Sequence, residues 1–408
     1  MTAQPAVSIV IPVFNKWDMT RDCLESMAAH VGAEGLEVVV VDNASSDPTA
    51  EHCPALGASL FGPAFRFLRN ESNLGFAKAC NMGAAASAGE RIFFLNNDTL
   101  FTHDPLPALL DELAKDGTGC CGPLLLYPDD TIQHMGIGFL HANKCSHIFR
   151  KYPRNHRVTR RTAPLQAISA AAMLVPAALF RSLGAFHEGY VNGYEDLDLC
   201  SRMGREGLRC SIRTDASMVH LESQSAGRFD SESENFQIYC RRVGEIFEPD
   251  LDIIARSHGM DLAINEWFEP YFVPGRRLAE SYAERVRRDG LQTAMDILAQ
   301  DPSWEDGYYT LIKALCDNGL LKHAFTLSMD LTTFCPTLTA LDTAMDLTQR
   351  LGNARHMQVL ADQRRMAMEA AQSPNLTRNA GAMRVWARTH GRDHLAEVLS
   401  RWTAAHAA

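Results

Sequence analysis

An apolar run of strand length, Ile92 to Leu95, breaks without any glycine onto Asn96, Asn97 and Asp98. Such a run is a buried strand, and polar side chains at its carboxyl end lie in the crevice where open α/β sheets hold their ligands. The surrounding chain repeats the pattern. Val7 to Phe14, Leu36 to Val41, Ala64 to Leu68 and Gly122 to Leu126 read as further strands, with helices over Met19 to His30, Phe76 to Ala86 and Leu106 to Leu113. This alternation predicts a mixed, mostly parallel sheet flanked by helices.

Beyond Tyr127 the rhythm stops. Tyr127 to Arg161 is rich in turn residues and basic side chains and reads as a long excursion outside the core. Order returns with the apolar run Leu165 to Val175, after which Pro176 starts a helix. A helix over Asp196 to Arg205 and short strands at Arg209 to Arg213 and Ser217 to His220 follow. From about Asn235 onward no strand is expected. Instead Pro302, Pro336 and Pro374 recur 34 and 38 residues apart. Trp304, Tyr308, Leu311, Leu315, Gly319, Ala324 and Phe325 sit near the positions of a tetratricopeptide-like helical hairpin, which this segment resembles. An ordinary helical bundle gives the same spacing. The expected organisation is an α/β domain over 1–235, a helical linker region over 236–300 and a helical-repeat, all-α C-terminal domain over 301–408, which packs on the first domain or on a protein partner, a second copy included.

With 408 residues and 46% apolar content the chain can bury ample core. A net charge of -10, without long runs of one sign, argues against nucleic acid and for small-molecule work. The eleven cysteines include no C-x-x-C pair and the first residues lack a signal pattern, so reduced thiols and a cytoplasmic location are expected. No run of eighteen apolar residues occurs; any membrane contact is expected to be peripheral, at the inner face.

Six clusters carry the chemistry: Val7 to Asn15, Val38 to Asp47, Arg69 to Gly83, Leu95 to Thr99, Gly193 to Gly207 and Val219 to Ser225. In order and spacing they resemble the family 2 glycosyltransferases of GT-A fold, inverting enzymes that use nucleoside-diphosphate sugars. The resemblance spans about Val7 to Arg228. It implies a UDP- or dTDP-sugar donor, Mn2+ or Mg2+ as cofactor, and a hydroxyl of a glycan, lipid-linked glycan or protein as acceptor.

A divalent cation bridging two phosphates needs only one or two protein ligands, because phosphate and water oxygens fill the other positions. Asp98 is the expected metal ligand, and by the resemblance His220 completes the metal or diphosphate site; a lone histidine is otherwise more often structural. The family motif is Asp-x-Asp, from which this chain departs with Asn96; there an amide still hydrogen-bonds ribose hydroxyls. Asn97 belongs to the same turn, which could also serve merely to cap the following helix.

The acids Glu195, Asp196 and Asp198 open a helix, where acids also complement the helix dipole. The resemblance makes Asp196 the general base, with Glu195 raising its basicity by like charge; Asp198 is expected to be structural. Asp42, at a strand end, is expected to accept from the imide of a pyrimidine base, with a turn residue as the plainer reading. Pro12, Phe14 and Asn15 are placed to line the base pocket, and by the resemblance Asn73, Gly75 and Phe76 are expected to approach the nucleotide. Lys78 meets a phosphate or is solvated. The basic run Arg150, Lys151, Arg154, Arg157, Arg160 and Arg161 is either a solvated loop or a contact for an anionic group. Gly117 to Gly122 satisfies G-x-G-x-x-G but follows a helix and precedes a strand, the reverse of a dinucleotide site, and reads as a loop. Two competing functions are a sugar-phosphate nucleotidyltransferase, against which the glycine-free Ile11 to Asp18 speaks, and a catalytically silent nucleotide-sugar-binding scaffold, which Asn96 favours.

Overall fold

The computed structural model describes residues 5–32, 35–141, 144–221, 232–244 and 246–406. They form two compact units, Met1–Arg154 with Thr159–Pro249, and Asn155–Val158 with Asp250–Ala408.

The first unit is built on one large sheet of nine strands: β1 (Val7–Val13), β2 (Leu36–Asp42), β3 (Phe65–Arg69), β4 (Arg91–Leu95), β5 (Thr99–Phe101), β6 (Thr118–Leu126), β7 (Ile132–His134), β10 (Ala172–Pro176) and β11 (Arg209–His220). A separate hairpin joins β8 (Ile137–His141) and β9 (Lys144–His147). The order is β3-β2-β1-β4-β10-β6-β11-β5, with β7 beside β6. Strands β3, β2, β1 and β4 run parallel; β10 is antiparallel to both neighbours, and β6 and β11 are again parallel. The mixed, mostly parallel sheet with flanking helices is thus as expected.

Around it lie α1 (Trp17–His30), α2 (Thr49–Phe61), α3 (Phe76–Ala86), α4 (Leu106–Leu113), α5 (Ala177–Ser182), α6 (Glu195–Arg205) and α7 (Glu232–Arg242). Every residue of β1 and β2 is buried, and each Val or Ile so placed contributes roughly 1.5–3 kcal/mol of hydrophobic stabilisation. The small residues of α3 let it sit close on this surface: a Cβ on Gly83 would lie 2.3 Å from Val10 Cγ1.

Several expectations are corrected. Helix α2 was not anticipated because Pro54 and Gly57 interrupt its pattern. Yet Gly57 is required there, since a Cβ would meet the Phe65 ring at 2.1 Å. The glycine-rich stretch is not a loop: Thr118 to Gly122 is the buried first half of β6. The two short strands after α6 are one strand, β11, with a register shift between Arg213 and Ser217. Tyr127 to Arg161 is no excursion. It carries β7, β8 and β9, and buries Ile132, Phe139, Leu140, Phe149 and Tyr152. Its basic residues are largely engaged within the protein: Arg150 donates to the Tyr127 hydroxyl, Lys151 lies 3.6 Å from the Tyr127 ring centroid, and Arg154 donates to Ser217 Oγ at 3.0 Å.

The second unit is mainly helical: α8 (Leu251–Ser257), α9 (Arg276–Asp289), α10 (Leu291–Gln300), α11 (Glu305–Asp317), α12 (Leu321–Phe334), α13 (Leu338–Arg350), α14 (Ala354–Ala371), α15 (Pro374–Thr389) and α16 (Asp393–His406). Contrary to expectation it also holds strands, the hairpin β12 (Met260–Ile264) and β13 (Pro270–Pro274). The three periodic prolines fall in the breaks before α11 and α13 and at the start of α15. Trp304, Tyr308, Leu311 and Ala324 are buried in one cluster, against which Leu315 and Phe325 pack. Asp301 accepts from Arg157 and the Tyr282 hydroxyl within this unit, and its carboxyl is held far below the usual range by His156 and Arg157 despite burial. No described helix is long and apolar enough to cross a membrane.

Candidate functional site

Strand β4 ends at Leu95, and the chain turns through Asn96 to Asp98 into β5, which pairs antiparallel with β11 so that Thr99 stands opposite His220. The backbone fixes this corner twice: Asn96 N–H donates to Ala171 O, and Leu221 N–H donates to Asp98 O, both at 2.9 Å. The result is a distance of 3.0 Å between His220 Nε2 and Asp98 Oδ1. The remaining residues of the Val219 to Ser225 cluster, from Glu222 on, lie outside the described residues.

The tautomer of His220 follows from its other neighbour. Gln133 Nε2 donates to the His220 carbonyl at 2.9 Å, which turns Gln133 Oε1 toward the ring at 2.6 Å from Nδ1. Nδ1 therefore donates to Gln133 Oε1, and Nε2 is the ring nitrogen that faces Asp98. Asn96 Nδ2 approaches Nε2 at 3.3 Å. Asp98 Oδ1 is buried and receives no hydrogen bond. In the neutral ring Nε2 offers a lone pair beside this carboxylate oxygen, and the two atoms can share one cation. Neighbouring ligands of an octahedral ion bound at about 2.1 Å lie about 3.0 Å apart, so the pair fits such an ion.

This corner opens into a cavity of about 500 Å³. On one side lie Pro12, Phe14, Lys16 and Asn43 with Asn73 and Phe76; the loop before Phe76 is held by Asn43, whose amide donates to Gly75 O at 3.0 Å and accepts from Leu74 N and Asn70. Gly75 itself has a φ of 85°, and a Cβ there would lie 2.7 Å from Val191 O, so only glycine fits. Phe76 N donates to the same Val191 carbonyl.

On another side lie Ser169 to Ala171, Asn192 to Leu197, His134, His147 and Glu232. Asp196 is half-buried at the start of α6, where its carboxylate accepts from Ala170 N at 3.1 Å and from Leu197 N at 2.8 Å. Burial pushes its pKa up to about 6, with the nearby Cys200 thiol the next cause. Like charge from Glu195 was expected to do this, and that expectation is corrected: Glu195 turns to accept from Gly193 N at 2.8 Å. Asp198 is buried between Arg202 and Arg242, whose guanidiniums hold its carboxyl below the usual range. His134 accepts from Ser169 N through Nε2 and lies 2.8 Å from His147 Nδ1; burial keeps it neutral, far below the usual histidine range.

The cavity wall thus gathers Pro12, Phe14, Asn73, Phe76, Asn96, Asn97, Asp98, Glu195, Asp196 and His220 from the sequence expectation. It does not include Asn15, Asp42, Gly75 or Lys78. Asp42 is fully buried, accepting from Ser45 N and from Arg69, and Asn15 fastens the 45–47 turn by accepting from Ser46 N. Both shape the loop rather than face the cavity. Gln133, His134 and Ser169 to Ala171 were missed, and no local signal marked them. Asn43 could have been found by the strand-end rule that pointed to Asp42. Among the described lining residues, four carboxylates face a single lysine, Lys16.

Residues 8–174 match the family described as Glycosyl transferase family 2. The chain is 28% identical over 314 residues to the O-antigen biosynthesis protein RfbC of Myxococcus xanthus, covering 74% of this chain and 23% of that protein. It is 26% identical over 220 residues to an N-acetylglucosaminyl-diphospho-decaprenol L-rhamnosyltransferase of Mycobacterium tuberculosis, covering 47% of this chain and 69% of that one. This chain therefore spans about a quarter of the length of the first relative. A solved structure of GalNAc-T7 with UDP, GalNAc and Mn2+ superposes with a TM-score of 0.48 at 17% identity, over 58% of this chain and 48% of that one.

Proposed function

Because residues 8–174 match the family described as Glycosyl transferase family 2, we propose that this chain is a divalent-cation-dependent, inverting glycosyltransferase acting from a nucleoside-diphosphate sugar. The observation that carries the reading is the pair Asp98 Oδ1 and His220 Nε2, 3.0 Å apart at the wall of the cavity that also holds Asp196.

Asp98 and His220 would hold Mn2+ or Mg2+, with Gln133 bonded to the other ring nitrogen of the histidine. The ion, when bound, neutralises the departing diphosphate, a task for which a wall of four carboxylates and one lysine is otherwise unsuited. Asp196 accepts the proton of the acceptor hydroxyl as its oxygen bonds to the anomeric carbon. The bond from that carbon to the diphosphate breaks, and its electron pair leaves with the phosphate. Attack from the face opposite the leaving group inverts the anomeric centre. Pro12, Phe14, Asn43, Asn73 and Phe76 hold the nucleoside, with Asn96 and Asn97 beside the ribose. UDP- and dTDP-sugars remain the donor class. In view of the mycobacterial relative's name, a hexose or deoxyhexose is transferred to a glycan or lipid-linked glycan in polysaccharide assembly. The tetratricopeptide-like tail selects the acceptor or pairs with a protein partner, with membrane contact peripheral and the location cytoplasmic.

A panel of nucleotide sugars, each with and without Mn2+ or Mg2+, tests this reading by donor hydrolysis and by thermal stabilisation. Metal-dependent turnover of at least one donor is expected. Stabilisation by a nucleotide sugar with no turnover of any donor would favour the silent scaffold.

A further inference from the structure

One cluster of ligating side chains lies outside the cavity. Cys120 on β6, Cys210 on β11 and Cys200 on α6 bring their three sulfurs within 4.8 Å of one another. Cys120 and Cys210 are register partners in the parallel ladder, and their sulfurs are 3.4 Å apart. All three residues are no more than 1% exposed. Among the described residues this is the one group of three or more side chains spaced to share an ion.

As free thiols the three are weakly held. Cys200 reaches Ile168 O at 3.8 Å and Cys210 reaches Gln166 O at 3.6 Å, long contacts even for sulfur donors. An ion bound at about 2.3 Å to three sulfurs needs them about 4 Å apart, a spacing that small rotations of these side chains supply. All-thiolate ligation selects thiophilic ions with no directional d-electron demand, Zn(II) or Cu(I), over the hard ions that suit Asp98 and His220.

We propose that Cys120, Cys200 and Cys210 form a structural site for one thiophilic d10 ion, separate from the catalytic cation and independent of the glycosyltransferase reading. Binding replaces three S–H bonds by three metal–sulfur bonds and releases three protons to solvent, with no change of oxidation state. Zn(II) leaves one net negative charge in the cluster and completes its coordination with a backbone carbonyl, for which Ile168 O and Gln166 O are at hand. Cu(I) is satisfied by the three sulfurs alone. Either ion ties α6, which begins with Glu195 and Asp196, to two strands of the central sheet.

The test uses the full chain, reduced and handled without oxygen, with Zn(II) and Cu(I) offered separately after chelator treatment. One equivalent of at least one ion is expected to bind, to raise the melting temperature, and to show a metal edge with sulfur neighbours at about 2.3 Å. Cys200→Ser is expected to lose that equivalent while Cys316→Ser keeps it. Should Cys200→Ser not fold, the absorption edge of the parent decides alone. Binding of neither ion, an edge with only nitrogen and oxygen neighbours, or full binding by folded Cys200→Ser overturns the proposal.

Discussion

His220 Nε2 and Asp98 Oδ1 face each other at 3.0 Å, while Gln133 engages Nδ1 on the far side of the ring. Two residues 122 positions apart in the chain meet only because β5 and β11 pair with Thr99 opposite His220.

Under the proposed function, Gln133 is expected to govern metal affinity without touching the ion. Gln133→Leu frees the Nδ1 proton to move, and Mn2+ affinity is expected to fall by about 10–100-fold. Titration calorimetry reads this directly. Equal affinities in variant and parent would show that the tautomer is not held by Gln133.

Asp196 is expected to act only in the acceptor step. Asp196→Asn should lower kcat by about 10²–10⁴-fold while nucleotide binding stays nearly unchanged. In the parent, kcat/KM should fall as pH drops below about 6, where the carboxylate takes up a proton. The same shift makes a stability statement. A carboxyl whose folded pKa is raised binds its proton more tightly in the folded state, so its contribution is fullest below the unfolded value and is lost as pH rises through about 6. Asp196→Asn should accordingly melt above the parent at pH 7.5, with the gap closing near pH 4. A melting difference independent of pH would contradict the assigned shift.

Asp198 makes the contrast. Its carboxylate lies between Arg202 and Arg242 at 2.8 and 2.6 Å and is nearly inaccessible. Asp198→Ala leaves two cations without their partner and is expected to cost about 3–5 kcal/mol in denaturant unfolding. A loss of activity at unchanged stability would instead place Asp198 in the chemistry.

Gly75 separates strain from contact. Its φ of 85° and the Val191 carbonyl, 2.7 Å from where a Cβ would lie, exclude any other residue. Gly75→Ala should displace the loop that carries Asn73 and weaken nucleotide binding, read by titration with nucleoside diphosphate at saturating Mn2+. Binding as tight as the parent's would mean the loop does not approach the nucleotide.

What the sequence revealed and concealed follows from the range of each signal. Strands β1, β2 and β4 announce themselves because buried parallel strands are unbroken apolar runs, and Asp98 and Asp196 follow from strand-end and helix-start positions close to recognisable motifs. Helix α2 hides behind Pro54, and β6 behind glycines. Gly122 is there because a Cβ would lie 2.6 Å from Ala172 O, a contact made by a strand some fifty residues on. Gln133 and His134 were invisible for the same reason: their roles depend on His220 and Ser169, which sequence spacing does not relate to them. Asp42 misled in the opposite direction. Its strand-end position was read correctly, but Arg69 and Ser45 occupy the carboxylate that was expected to face a base.

The most direct test of the central claim is nucleoside-diphosphate affinity with and without Mn2+, in the parent and in Asp98→Ala. Manganese should strengthen binding in the parent, and that enhancement should vanish in the folded variant while metal-free binding is retained. The same manganese enhancement in both proteins would contradict the assignment of Asp98 and His220 as the metal ligands.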